Sequence, residues 1–187
     1  MPDTRDVVVL VGSLRKASWT RIVATALSRI APPSLRLEIV EIGELALYNQ
    51  DFDDEQRVPP PWRVFRERIA RADAVLFVTP EYNRSVPGVL KNAIDVGSRP
   101  YGKSAWNAKP AAVVSVSPGG LSAFGANHHL RQSLVFLNMP TLQQPEAYVG
   151  GAGDLFDEAG GLKKPEFMEK FLGAFAAWIE RNANAKA

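Results

Sequence analysis

The chain has 187 residues, 46% of them hydrophobic, which suits one domain over residues 1–187 with a sizeable core. The absence of cysteine excludes disulfides, thiolate nucleophiles, iron–sulfur clusters and cysteine-ligated zinc. A formal net charge of +2, with Lys and Arg mixed among Asp and Glu, does not indicate nucleic-acid binding and suits a small anionic ligand.

Apolar runs alternate along the chain with longer segments of helical period, which is the pattern of parallel strands joined by crossover helices. Continuously apolar strands are predicted at 7–11, 74–78 and 111–116, as expected for strands that are buried on both faces. The segment 35–42 alternates apolar and polar residues, so it is predicted to be a partly exposed edge strand. A weaker fifth strand is predicted at 147–149.

About five helices are predicted between and after these strands. Apolar residues at three- and four-residue spacing mark a first helix over 22–30, one over 89–96 and a last one over 167–179. Another is expected to start near Trp62, after the break at Val58-Pro-Pro-Pro61. The acidic segment 51–55 is interpreted as a solvated turn.

The first strand runs through the loop Gly12-Ser-Leu-Arg-Lys-Ala-Ser18 directly into an amphipathic helix. Gly12 permits a tight turn, Ser13 and Ser18 offer hydroxyls, and Arg15 offers a guanidinium beside the positive end of the helix dipole. This combination suits a phosphate monoester. The GxGxxG spacing of a dinucleotide site is missing, so a mononucleotide fits better, and an ordinary serine-capped helix is the alternative.

Two further polar loops follow the third and fourth strands, at 79–88 and 115–120. Tyr82 can lie against a planar ring, the backbone of 80–83 can meet the polar edge of that ring, and Ser117 can reach the ring or its ribityl chain. Open α/β sheets bind ligands at the carboxyl ends of their strands. The three loops meet there if the strand order is 2-1-3-4-5.

Residues 97–104 read GSRPYGKS and match the GxxxxGK[ST] pattern of a nucleotide-binding P-loop. A P-loop leaves a strand and opens a helix, whereas this stretch follows a predicted helix, and Pro110 leaves no room for a helix after it. We therefore interpret it as a surface loop that ends a helix at Gly97. Such a loop could bring Tyr101 or Lys103 over the ligand site or into a neighbouring subunit.

The motifs GSLRKAS at 12–18, TPEYNRSVPGVLKNAID at 79–95 and SVSPGG at 115–120 together resemble the NADPH-dependent FMN reductase family, particularly its chromate and quinone reductase branch. The resemblance spans most of the chain. It implies an α/β, flavodoxin-like three-layer sandwich with a five-stranded parallel sheet in the order 2-1-3-4-5 and helices on both faces. The family usually has Asn where Thr20 stands, and Thr keeps a hydroxyl donor.

The resemblance also implies bound FMN, with NADPH or NADH as co-substrate. The residues expected around FMN are Ser13, Arg15, Ser18, Trp19, Thr20, Pro80, Glu81, Tyr82, Asn83, Ser117 and Gly120. No catalytic side chain is assigned, because flavin itself accepts hydride. Arg84, Arg99 and Lys103 are candidates for the ribose phosphate of NADPH, although each also reads as a solvated surface cation.

The expected activity is ping-pong reduction of quinones, chromate, azo compounds or free flavin by NAD(P)H, in a dimer or tetramer of this chain. A flavodoxin-type electron carrier and a non-catalytic FMN sensor are the alternatives. A carrier is expected to be strongly acidic, and this chain is slightly basic.

Membrane and metal sites are not expected. No apolar run approaches the roughly 20 residues needed to span a bilayer, and the first residues lack the features of a signal peptide, so a cytoplasmic protein is predicted. His128 and His129 are adjacent and cannot chelate one metal ion together, so they are interpreted as structural or interfacial.

Overall fold

The computed structural model describes residues 4–184, which form one five-stranded parallel sheet with the order β2-β1-β3-β4-β5. The strands are β1 (Arg5–Val11), β2 (Leu35–Ile39), β3 (Ala74–Thr79), β4 (Ala111–Val116) and β5 (Ala147–Val149). The helices are α1 (Trp19–Ile30), α2 (Asp51–Asp54), α3 (Pro60–Arg71), α4 (Gly88–Gly97), α5 (Phe124–Phe136) and α6 (Glu166–Asn184), with a short 3-10 helix at Ala152–Asp154. The predicted fold class and strand order are confirmed.

The two faces of β1 explain the three layers, because successive side chains of a strand point in opposite directions. Val7 and Val9 pack in the cluster that contains α1 and α6, whereas Val8 and Leu10 pack in the cluster that contains α3, α4 and α5. The strands β1, β3 and β4 lie in the middle of the sheet and are buried, as their apolar runs predict. The alternating segment at 35–39 is an edge strand, also as predicted.

Two predictions of local structure are wrong. The alternating pattern continues to Ile42, but β2 ends at Ile39. The acidic segment predicted as a solvated turn forms the one-turn helix α2, and its Asp53 side chain is only 4% exposed because Arg66 of α3 pairs with it. That ion pair is bidentate, with N···O distances of 2.6 and 2.8 Å.

The loop at 97–104 leaves α4, as predicted for a surface loop and not for a P-loop. Trp106 lies directly over Gly97, where a Cβ atom would fall 2.5 Å from the indole ring. This contact closes α4 and sends the chain to β4 at the amino edge of the sheet. Among the described residues, no helix is both long and apolar enough to cross a membrane.

Candidate functional site

The loops that follow β1, β3 and β4 line one open pocket at the carboxyl edge of the sheet, with a cavity volume of about 180 Å³. Most of the residues predicted to bind a ligand line it: Ser13, Arg15, Ser18, Trp19, Thr20, Pro80, Glu81, Tyr82 and Ser117. Val116 and Pro118 also line it and were not predicted, although both flank Ser117 in the chain. Asn83 and Gly120 lie in the same loops but outside the lining.

Ser18 is the N-cap of α1, and its hydrogen bonds leave its hydroxyl proton free for a ligand. Its Oγ accepts from the Arg21 amide and from Thr20 Oγ1, both at 3.2 Å. A serine oxygen has two lone pairs and one proton, so the remaining capacity of Ser18 is to donate. The amides of the first turn of α1 add further donors, because they have no partner within the helix.

The charge around this first loop favours an anion. Arg15 is exposed at the pocket, and within residues 4–184 its side chain forms no ion pair. The nearby Arg21 pairs instead with Glu41, at 2.7 Å. Glu81 is the one acidic residue in the lining, and its carboxylate accepts from the Ala126 amide and pairs with Arg84. The loop therefore offers Arg15, a helix N-terminus and hydroxyl donors to a dianionic phosphate.

The first loop and the loop after β3 are in direct contact. Gly12 lies against Pro80, where a Cβ atom on Gly12 would come within 2.8 Å of Pro80 Cδ. The hydroxyls of Ser13 and Tyr82 are 3.1 Å apart. Glycine at position 12 therefore allows the first loop and the loop after β3 to form one site.

The third loop of the pocket is fixed by its own hydrogen bonds. Ser117 Oγ accepts from the Gly119 amide at 3.0 Å, and Ser115 Oγ donates to the Ser122 carbonyl at 2.8 Å. The Ser117 amide donates to Val149 of β5 at 2.9 Å, so the end of β5 supports this side of the pocket.

Trp19 forms another wall of the pocket and is backed by a segment that the motifs did not indicate. Its ring stacks on Phe156, with ring centroids 6.4 Å apart and planes inclined by 11°. Gly153 lies against the same indole, since a Cβ atom added to Gly153 would lie 3.5 Å from the ring. The segment after β5 thus supports the first loop, a contact that only the folded chain brings about.

The residues of the GSRPYGKS loop do not line this pocket. They border a separate groove with the end of α5, formed by residues that include Arg99, Tyr101 and Phe136. Because α4 runs from the carboxyl edge of β3 to the amino edge of β4, its last turn and this loop lie at the far side of the molecule. Of the two possibilities left open for this loop, the structure does not place Tyr101 or Lys103 over the site of the same chain, and a contact with a neighbouring subunit stays untested.

The three cations considered for NADPH and the paired histidines all lie outside the lining of the pocket. Arg84 pairs with Glu81 at 2.9 Å. The guanidinium of Arg99 lies 5.9 Å from the centre of the exposed Tyr101 ring. His128 Nε2 is 3.0 Å from Tyr148 Oη, and His129 Nδ1 is 3.0 Å from Ser85 Oγ, so each ring contacts a hydroxyl of its own chain.

The donor set fits FMN. A phosphate suits the Arg15, Ser18 and α1 end of the pocket, and a planar ring suits the Pro80, Tyr82 and Ser117 end. The cavity is smaller than the roughly 300–1,000 Å³ of typical small-molecule clefts and cavities. The pocket is open, so a group held there would stay partly exposed to solvent.

Comparison with known proteins also supports an FMN site. Residues 5–154 match the profile of the NADPH-dependent FMN reductase family. A quinone reductase from Pseudomonas putida is 62% identical over 97% of this chain and 98% of its own length.

Two solved structures place the fold. The flavoenzyme FerB from Paracoccus denitrificans, an NAD(P)H:acceptor oxidoreductase, has a TM-score of 0.90 and 37% identity, and the match covers 96% of this chain and 99% of that one. A flavodoxin variant from Pseudomonas aeruginosa has a TM-score of 0.56 at 17% identity, covering 94% and 98% of the two chains, and shows a shared fold alone.

Proposed function

Because this chain belongs to the NADPH-dependent FMN reductase family, we propose that it binds FMN at the carboxyl edge of its sheet and uses NAD(P)H to reduce quinones. The observation that carries the proposal is the single pocket that unites an anion-binding loop with an aromatic loop. The relatives with the same length and fold are an enzyme that reduces quinones and a flavoenzyme that takes electrons from NAD(P)H.

The phosphate of FMN would be held by the first loop. Arg15 supplies charge, Ser18 donates its hydroxyl, and the first amides of α1 supply the positive end of the helix dipole. Thr20 is 1% exposed and donates to Ser18, so it acts on the phosphate through Ser18 and keeps that hydroxyl turned outward.

The isoalloxazine ring would lie along the second and third loops. The backbone of Pro80 to Asn83 offers hydrogen-bonding groups to its polar edge, while Tyr82 and the Val116 to Pro118 turn provide contact surface. Asn83 and Gly120 would contribute through the loops that contain them. The chain's task here is to orient the ring and to leave one side of it accessible.

FMN, when bound, supplies the redox chemistry by taking up two electrons as hydride and passing them on. NAD(P)H loses a hydride from its nicotinamide ring and becomes NAD(P)+. The quinone gains two electrons and two protons and becomes a hydroquinone, with the second proton taken from solvent. Solvent reaches the open pocket directly, so no buried acid is needed and no catalytic side chain is proposed.

We expect parallel lines in initial-rate measurements, because NAD(P)H and the quinone must use the same open side of one pocket in turn. Purified flavoprotein would be assayed by varying NADPH at several fixed quinone concentrations and plotting reciprocal rates. The same mixtures with free FMN and no protein provide the control. Intersecting lines would contradict the alternating use of one site.

Chromate, azo compounds and free flavin are proposed as further acceptors on the family resemblance, since an open site does not select strongly by shape. The supply of NAD(P)H favours action in the cytoplasm. A homodimer or homotetramer is proposed because α5 carries exposed apolar side chains at Val135 and Phe136, which are 76% and 79% exposed. A carrier function is less favoured, because nothing in the slightly basic composition suits docking on a basic reductase.

A further inference from the structure

The residues at 82–85 form a tight two-residue turn whose backbone is unusual. Tyr82 and Ser85 exchange both backbone hydrogen bonds, at 3.1 and 3.0 Å. Asn83 and Arg84 between them have φ angles of 51° and 64°. Asparagine adopts this left-handed region readily, but arginine does so rarely, so the turn needs support from outside itself.

Glu81 lines the pocket and supplies that support, because its side chain reaches the start of α5. Its carboxylate is 11% exposed, accepts from the Ala126 amide at 3.0 Å, and pairs with Arg84 Nη1 at 2.9 Å. Burial opposes ionisation of this carboxyl, but its hydrogen bonds to the α5 amides and to Arg84 outweigh burial and lower the Glu81 pKa. The carboxylate thereby ties Arg84 of the turn to the start of α5.

The fit between the turn and α5 is close. A Cβ atom on Gly125 would lie 2.9 Å from Glu81 Oε2 and 3.1 Å from the Arg84 carbonyl oxygen. One helical turn further on, His129 contacts the Ser85 hydroxyl at 3.0 Å. The turn therefore rests on two successive turns of α5, and only glycine at position 125 allows it to do so.

We propose that Glu81 is a positioning residue for the flavin ring, acting through the turn and not by contact between its carboxylate and FMN. Its neighbours Pro80 and Tyr82 line the pocket together with Glu81 itself, while the Glu81 carboxylate anchors to α5. The negative charge of the carboxylate is compensated by the α5 amides and by Arg84. This inference rests on the proposed FMN site.

The test separates ring binding from phosphate binding by comparing FMN with riboflavin, which lacks the phosphate. Apoprotein would be titrated with each ligand, following flavin fluorescence. Glu81→Ala is expected to weaken both ligands at least tenfold and by the same factor, whereas Arg15→Ala weakens FMN at least tenfold and riboflavin less than twofold. Glu81→Gln keeps an oxygen that can accept from the α5 amides, so it should restore both affinities to within about threefold of the unsubstituted protein.

Asp73→Ala is the matched control. The Asp73 carboxylate also accepts from a backbone amide, that of Asp6 at 2.7 Å, and also lies near an arginine, Arg5, at 3.7 Å. It precedes β3 at the opposite edge of the sheet, so its loss should lower stability and leave both flavin affinities within twofold. A general effect of losing a capping carboxylate would appear in this variant as well.

Unchanged riboflavin affinity in Glu81→Ala would overturn the inference, and so would a loss confined to FMN. If Glu81→Ala does not fold, Gly125→Ala displaces the same carboxylate by steric contact and is expected to weaken both ligands in the same ratio, with unchanged affinities again overturning the inference. Failure of the unsubstituted apoprotein to bind FMN would instead refute the proposed function itself.

Discussion

Gly12→Ala is expected to weaken FMN binding at least tenfold and to lower the free energy of unfolding by about 1–3 kcal/mol, the usual cost of overpacking. The added Cβ would lie 2.8 Å from Pro80 Cδ, 3.2 Å from Leu90 and 3.3 Å from Thr79 Oγ1. Pro80 is a rigid ring within the loop after β3, so it cannot yield as a flexible side chain would. The substitution therefore forces apart the two loops that would hold the phosphate and the ring.

Both effects can be measured on the same samples, by flavin titration and by urea unfolding of the apoprotein. Gly173→Ala is the control, because within residues 4–184 nothing beyond the adjacent residues and the backbone of α6 itself lies within 4 Å of the position that its Cβ would take. In a helix interior this change is expected to stabilise the chain by about 0.5–1 kcal/mol and to leave FMN affinity unchanged. Wild-type affinity in Gly12→Ala would contradict the close contact of the two loops.

Asp53→Ala is expected to lower the free energy of unfolding by about 3–5 kcal/mol, the range for breaking a buried ion pair by removing one partner. The side chains of Asp53 and Arg66 are 4% and 14% exposed. Arg66 also donates to the Val96 carbonyl at 2.8 Å, which holds it in place after Asp53 is removed. The loss would therefore leave a guanidinium buried with its charge uncompensated.

Urea unfolding of the apoprotein measures this loss, with Asp54→Ala as the control in the same short helix. Asp54 is exposed, and its carboxylate accepts from the exposed Gln50 side chain at 3.1 Å. Its removal is expected to change stability by less than about 0.5 kcal/mol. Equal stability of the two variants would mean that the Asp53–Arg66 pair contributes little.

The architecture could be predicted because it depends on patterns that are local in the sequence. The apolar runs at 7–11, 74–78 and 111–116 mark central strands, and the polar loops that follow them must meet at one edge of a parallel sheet. The same reasoning separates GSLRKAS, which leaves a strand, from GSRPYGKS, which leaves a helix. The element that precedes each stretch, and not its match to a sequence motif, therefore predicts which of the two binds phosphate.

What could not be predicted depends on contacts between distant segments. The residues around the acidic segment 51–55 do not predict that Arg66 pairs with Asp53 and buries it. The residues around Glu81 likewise do not predict that its carboxylate contacts the start of α5. Trp19 was predicted at the site, but its stacking on Phe156 joins residues from opposite ends of the chain. Each of these contacts follows from the folded arrangement and leaves no periodic signal in the sequence.

The visible spectrum of the purified protein under anaerobic NADPH tests the central claim most directly. After incubation with FMN and removal of the excess, the protein should retain a flavin absorption band that bleaches on addition of NADPH or NADH and returns on addition of a quinone. Absence of flavin absorption after this treatment would contradict the FMN site. Bound flavin that NAD(P)H does not reduce would contradict the oxidoreductase function and favour a carrier or a sensor.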